Sequence, residues 1–263
     1  MIPVHQQAAL GFDRAGDDYE RGRPGYPEPA LAVLIGELEV EPGRTIVDLA
    51  AGTGKLTRAL AATGARLIAV EPVAGMRAQL ARTTPQAEAL DGTAERIPLA
   101  DSSADAVTVG QAFHWFDARA AAAEIHRVLN SRGGLAVIWN SWDESVPWVH
   151  ATQAIVHEHA GDAPRQANST WQRELPATGL FTNLQERTFP NLVPGDLDAV
   201  LARVASTSYI AALDPADHQR VLERVRAVVT SQAPTRNCDL IEMPYTTHLV
   251  WCRVGGVDSR ASR

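Results

Sequence analysis

Between residues 45 and 140, short apolar runs alternate with stretches of helical character, and this alternation narrows the fold more than any other feature. Thr45–Leu49 (TIVDL), Arg66–Val70 (RLIAV), 87–91, Ala104–Gly110 (ADAVTVG) and 135–140 (LAVIWN) read as five strands. Helical stretches at 55–63, 74–82 and the alanine-rich 117–129 separate them. Short apolar strands alternating with helices build βαβ units, whose parallel sheet must be covered on both faces. Right-handed crossovers then give a doubly wound α/β architecture with its ligand site beyond the carboxyl ends of the strands.

After residue 140 the pattern loosens. The sequence predicts a helix over 147–161, a strand over 183–189, helices over 196–210 and 215–231, and a final strand over 246–252. The expected organisation is one domain: an N-terminal lid over 1–35 and a main body over 36–263, with a helical insertion at about 195–232. A tail over 255–263 is expected to be disordered.

The chain of 263 residues carries a formal net charge of −7, which argues against nucleic acid as a partner because phosphate binding calls for a basic face. No basic-then-apolar leader opens the sequence, and no run of about 18 apolar residues spans a membrane. The two cysteines, Cys238 and Cys252, match no zinc or redox spacing and read as idle thiols in a reducing compartment. His157 and His159 fall on different faces of one predicted helix with no completing acid, so no metal site is expected. The expectation is a cytoplasmic protein acting on a small molecule, of undetermined oligomeric state.

The chemistry concentrates at Asp48-Leu49-Ala50-Ala51-Gly52-Thr53-Gly54, where the first strand gives way to the first helix. Glycines there permit a sharp turn and let a ligand approach main-chain N–H groups closely. Glu71, at the end of the second strand, suits a bidentate bond to two ribose hydroxyls. Turn and acid together read as a nucleoside site. The dinucleotide fingerprint is incomplete, because Thr57 stands where the third glycine belongs. The phosphate-loop pattern fails as well, since Lys55 is followed by Leu56.

With these features in order, the chain resembles class I S-adenosylmethionine-dependent methyltransferases, in particular the small-molecule branch that includes trans-aconitate methyltransferase-like proteins. The resemblance covers residues 12–150 well and the rest loosely. It implies a Rossmann-like, doubly wound, seven-stranded, mostly parallel sheet with an N-terminal lid and a helical insertion before the last strand. The cofactor implied is S-adenosylmethionine. In this likeness Asp48, Ala50, Gly52, Thr53 and Gly54 face its methionine part, and Glu71, Pro72 and Met76 serve ribose and adenine. Thr93, Ala94 and Glu95 form the adenine loop, and Gln111 opens the segment where cofactor and substrate meet. Arg127 to Gly133 resembles the turn before the fifth strand. Three departures stand out: Ala50 replaces the family's first glycine, Thr93 an aspartate, and Asn130-Ser131-Arg132-Gly133 an Arg-Pro-Gly-Gly turn.

His114 is the catalytic candidate, either as a general base or as a ring that shapes the pocket. Trp115, Phe116 and Trp139 line a substrate pocket or simply pack; Trp142 and Trp148 extend the same aromatic group. Tyr19, Arg23 and Tyr26 lie in a segment resembling the family's lid, either a flap over the methionine carboxylate with Arg23 as its charge partner or a cap that anchors the N-terminus to the sheet. Tyr26 is expected beside the cofactor and Tyr19 and Arg23 toward the substrate. Tyr209, in the helical insertion, is a further substrate candidate. The implied reaction is in-line methyl transfer to oxygen or nitrogen of an organic acid or secondary metabolite. The competing readings are a cofactor-binding protein of the same fold without transfer, and a nicotinamide-dependent oxidoreductase.

Overall fold

A computed structural model describes residues 23–161, 169–236 and 240–255. Its strands are β1 (Thr45–Leu49), β2 (Arg66–Val70), β3 (Glu88–Leu90), β4 (Ala104–Gly110), β5 (Leu129–Trp142), β6 (Phe181–Gly195), β7 (Thr235–Arg236) and β8 (Leu240–Val254). Seven of them form one sheet in the order β3-β2-β1-β4-β5-β8-β6, and β7 adds an antiparallel pairing to β8. The pairs β3–β2, β2–β1, β1–β4 and β4–β5 are all parallel, so the alternating pattern of the first half produces the mostly parallel α/β sheet expected of it.

The helices are α1 (Glu28–Leu38), α2 (Lys55–Leu60), α3 (Ala74–Thr83), α4 (Ala118–Val128), α5 (Pro147–His157), α6 (Trp171–Ala177), α7 (Leu197–Ala205), α8 (Ser208–Ala211) and α9 (Pro215–Gln232). α4 shows how local sequence sets an element. Asp117 caps it, its carboxylate accepting the N–H groups of Arg119 and Ala120 at 3.1 Å, a device worth about 0.5–2 kcal/mol. Ala118, Ala121, Ala122, Ile125 and Val128 then form one buried stripe at helical spacing.

The chain divides into two compact units. The first comprises 28–139, 169–188 and 248–255 of the described residues; the second comprises 23–27, 140–161, 189–236 and 240–247. In the first, the inward residues of β1, β2, β4 and β5 pack with Phe113, Trp171 and the apolar face of α4. Gly134 is required there, because a Cβ would stand 2.7 Å from Leu38 and 3.2 Å from the carbonyl of Cys252. In the second, Trp148, Val200, Val204, Val221, Val225 and Tyr245 belong to a separate core, and Arg224 of α9 makes a two-pronged ion pair with Glu158 at 2.6 and 2.7 Å.

Several boundaries differ from the sequence reading for physical reasons. The expected turn at 127–133 is absent: α4 ends at Val128, β5 begins at Leu129, and Asn130–Gly133 is accommodated as a register shift inside the strand. β6 runs well past 183–189 despite Pro190 and Pro194, which its position at the end of the sheet tolerates. The single helix expected over 196–210 is two. The Ser206 hydroxyl bonds back to the Arg203 carbonyl at 2.8 Å, Ser206 closes α7, and α8 restarts after Thr207. The final strand begins at Leu240 rather than 246, because Pro244 obscures its alternation. The tail 256–263, most of the lid and Cys238 lie outside the described residues, while Cys252 is a buried free thiol. Among the described residues no helix is long and apolar enough to cross a membrane.

Candidate functional site

Within the first unit, two turns leave neighbouring strands at the same edge of the sheet, since Asp48 of β1 pairs with Thr108 of β4. Ala50, Gly52 and Gly54 follow β1 with φ of 54°, 58° and 85°, and Gln111 follows β4 with φ of 61°. Glycine adopts this left-handed region freely, whereas a side chain costs about 1–2 kcal/mol. Ala50 and Gln111 are therefore strained positions held by their surroundings. Gln111 keeps its main-chain bond to the Ile138 carbonyl at 2.9 Å, and the Gly54 N–H bonds Ala51 at 2.9 Å. Strain of this kind collects at functional sites.

Asp48 is almost fully buried and acts as the internal anchor of the turn. It accepts the Thr57 hydroxyl at 2.6 Å and the Thr108 hydroxyl at 3.3 Å, joining β1 to α2 and β4. Burial pushes its pKa up to about 6, with the two hydroxyl bonds opposing the rise and the charge of Glu71 adding to it. Thr57, which breaks the dinucleotide fingerprint, is thus the partner that stabilises this carboxylate.

Glu71 couples the glycine turn to the end of β2. Its Oε2 accepts the Gly52 N–H and its Oε1 the Val73 N–H, both at 2.8 Å. The side chain is 4% exposed; burial raises its pKa while these two bonds and nearby Arg77 pull it down. A carboxylate has about four lone-pair sites, so two backbone donors leave capacity for two further hydroxyls. Arg77 braces the corner through the carbonyls of Glu71 and Pro72. Met76, buried on α3, follows Pro72 on the same connection.

The loop after β3 is tightly organised. Thr93 and Arg96 exchange main-chain bonds, and Ala94 is buried in the core. Gly92 has no room for a Cβ, which would lie 2.6 Å from Pro98. Glu95 accepts the Asp117 N–H at 3.1 Å, fastening the loop to the start of α4. Arg127 does more: it bonds Glu124 through Nε and Nη2, and the carbonyls of Ile97 and Leu99 through Nη2 and Nη1. Glu124 also accepts the Ile97 N–H at 2.9 Å. Its carboxyl is held below the usual range by the Arg127 guanidinium.

After Gln111 the chain makes a single 3₁₀ turn, Phe113–Trp115. Phe113 is buried against Trp171 and Phe116, at 4.8 and 5.2 Å between centroids. His114 and Trp115 are half-buried, their rings 5.1 Å apart. Trp139 is a core residue, stacked on His248 at 4.9 Å and edge-on to Trp171 at 5.7 Å. Asp48, Ala50, Gly52, Thr53, Gly54, Glu71, Pro72, Met76, Thr93, Ala94, Glu95, Gln111, His114, Trp115, Phe116 and Trp139 thus all belong to the first unit.

Arg23, Tyr26 and Tyr209 belong to the second unit, and Tyr19 lies outside the described residues. There the start of the described chain is fastened by the Gly25 carbonyl, which accepts the side-chain amides of Asn140 and Asn191 at 3.1 and 3.0 Å. Tyr209 packs, partly buried, against the second core.

The sequence reading missed Thr108, Glu124 and Arg127 as site-building residues. For the last two a signal existed: an acid and a base three apart on one helix face. Thr108 had none, because its pairing with Asp48 is made across the sheet.

Residues 47–137 match the family described as a methyltransferase domain. An uncharacterised methyltransferase of Mycobacterium tuberculosis, Rv3342, is 37% identical over 94% of this chain and 97% of its own. An uncharacterised methyltransferase-like protein of Schizosaccharomyces pombe is 32% identical over 88% and 90%. The chain belongs to the class I S-adenosylmethionine-dependent methyltransferases. Among solved structures, the YcgJ protein of Bacillus subtilis shares the fold at a TM-score of 0.58 and 19% identity, covering 87% of this chain and 99% of its own. A Haemonchus contortus phosphoethanolamine N-methyltransferase, solved with S-adenosylhomocysteine, matches at 0.56 and 12% identity, covering 95% and 58%. Family membership makes the methyltransferase an enzyme of this class and removes the oxidoreductase alternative.

Proposed function

We propose that the methyltransferase binds S-adenosylmethionine at the turn after β1 and transfers its methyl group to oxygen or nitrogen of a small molecule, an organic acid or secondary metabolite. The observation that carries this reading is Glu71, a buried carboxylate bonded to the Gly52 N–H of the glycine turn, with acceptor capacity for ribose hydroxyls. Gly52, Thr53 and Gly54 offer main-chain groups to the methionine part, and Asp48 and Ala50 shape that turn. Pro72, Met76, Thr93, Ala94 and Glu95 receive the adenine, and Gln111 marks the transition to the acceptor.

When bound, the cofactor supplies an electrophilic methyl on a sulfonium. The protein's task is then to align the acceptor, an effect worth up to about 7–11 kcal/mol in well-oriented pairs. His114 takes the acceptor's proton where one must leave, contributing ~10²–10⁴-fold. Trp115, Phe116 and Trp139 shape the apolar surroundings. A cytoplasmic role with a small-molecule partner, and neither nucleic acid nor membrane, fits this chemistry. Incubating the full chain with methyl-labelled S-adenosylmethionine and a library of small acids, alcohols and amines tests the reading. Acceptor-dependent S-adenosylhomocysteine formation supports it; absence of cofactor binding by calorimetry overturns it.

A further inference from the structure

The second unit carries a cluster that the glycine turn and Glu71 do not explain. Tyr245, on β8, is 2% exposed and stacks on Trp142 of β5 with ring centroids 4.4 Å apart. The guanidinium of Arg203, in the last turn of α7, lies over the same indole at 6.0 Å from its centroid. Nη1 of Arg203 donates to the Thr207 hydroxyl at 3.2 Å, which fixes its direction. Arg23 reaches the end of the same helix, its Nη2 donating to the Ser206 carbonyl at 3.2 Å. Both guanidiniums act on the Tyr245 hydroxyl, Arg203 the more strongly, while burial raises the phenol to about 12.

The Tyr245 oxygen is sealed from solvent and makes no hydrogen bond of good geometry among the described residues. A buried phenol in that condition is destabilising unless something accepts its proton. Held protonated across the physiological range, it is a permanent donor. Two guanidinium forks beside it supply planar donor sets that match carboxylate or phosphate oxygens. Trp142 and Tyr245 add flat apolar faces for the rest of a small ligand.

We propose that Arg203, Arg23 and the Tyr245 hydroxyl form an oxyanion site that takes a carboxylate or phosphate group of a small ligand. An anion accepts from the phenol and from both forks at once, a complementarity that a neutral ligand lacks. The site does not depend on the proposed methyl transfer.

The test is calorimetric titration of the full chain at low ionic strength with citrate and, separately, with inorganic phosphate. At least one probe binds, and the tighter of the two reports whether carboxylate or phosphate is preferred. Arg203→Gln weakens that binding about tenfold or more, the scale of a lost hydrogen bond to a charged group. Tyr245→Phe keeps the stack on Trp142 and weakens it about threefold or more, which preserves the test if Arg203→Gln does not fold. Arg226→Gln removes the same charge from an exposed position and leaves the affinity unchanged. The proposal is overturned if neither probe binds, if Arg203→Gln or Tyr245→Phe binds like wild type, or if Arg226→Gln weakens binding as much as Arg203→Gln. S-adenosylhomocysteine affinity is measured on the same samples. Its absence alongside intact anion binding refutes the methyl-transfer reading and leaves the oxyanion site standing.

Discussion

Replacing Glu71 separates its two duties, because the same carboxylate is bonded to the protein and assigned to the ligand. Each of its bonds to the Gly52 and Val73 N–H groups, at 2.8 Å, is of the charged kind worth about 1.5–3 kcal/mol. Glu71→Gln keeps one oxygen and sets an amide NH₂ against a backbone N–H, so one bond is lost and two donors confront each other. Relief of the buried charge, which raises the Glu71 pKa in the folded chain, returns part of that cost. The net loss in urea unfolding at pH 7.5 is expected to be about 1–2 kcal/mol. Cofactor affinity responds differently. Glu71→Ala removes both acceptors from the ribose and should raise the S-adenosylhomocysteine dissociation constant about 10- to 150-fold. Glu71→Gln, which still offers one acceptor and one donor to a pair of hydroxyls, should raise it by less. Titration calorimetry on samples shown to be folded by circular dichroism decides the matter. Unchanged affinity in the alanine variant would remove Glu71 from the cofactor site, and unchanged stability in both variants would refute the coupling of turn and strand.

Asp48→Asn tests the buried anchor. The carboxyl has a pKa near 3.8 when exposed and about 6 when folded, so between these values the folded state binds more protons and loses stability as pH rises. The wild type should therefore lose roughly 2 kcal/mol relative to the asparagine variant between pH 4 and 6.5, read by urea unfolding across that range. Asparagine can still accept the Thr57 hydroxyl, and the Thr108 hydroxyl can turn toward the Val47 carbonyl 3.5 Å away, so a pH-independent difference would contradict the assignment. Arg127→Met should loosen the loop between Thr93 and Asp101 at a cost of about 1–3 kcal/mol, mostly from its carbonyl bonds because its ion pairs are partly exposed. Faster hydrogen exchange confined to that loop is the readout, and unaltered exchange counts against it. His114→Gln should leave S-adenosylhomocysteine affinity intact and lower kcat by ~10²-fold if the acceptor must lose a proton. Normal turnover and KM would assign the imidazole to packing.

The glycine turn and its acid were legible because their signals are local. The Gly52 and Gly54 turn follows from two residues whose backbone freedom is intrinsic, and Glu71 follows from its place at a strand end. The loop after β3 was legible in the sequence, but its scaffolding was not: Arg127 read as part of a turn, whereas it lies in the last turn of α4 and grips residues 97–101. Trp139, Trp142 and Trp148 read as one aromatic group from their spacing. In the fold Trp139 packs in the first core, while Trp148 packs in the second and Trp142 lies against that same core. Nothing along the chain distinguishes a tryptophan that lines a pocket from one that fills a core.

The sequence by itself determined the parallel half of the sheet, since apolar period and turn residues act over a few positions and each strand carries its own signature. It likewise determined where the glycine turn and the Glu71 acid must fall. Tertiary structure decided what depends on residues brought together from afar. The left-handed strain at Ala50 and Gln111, the Asp48–Thr108 bond across 60 positions, and the meeting of Arg23, Arg203 and Tyr245 are of that kind. Burial and hydrogen bonding are properties of an environment, and an environment exists only once the chain has closed around it.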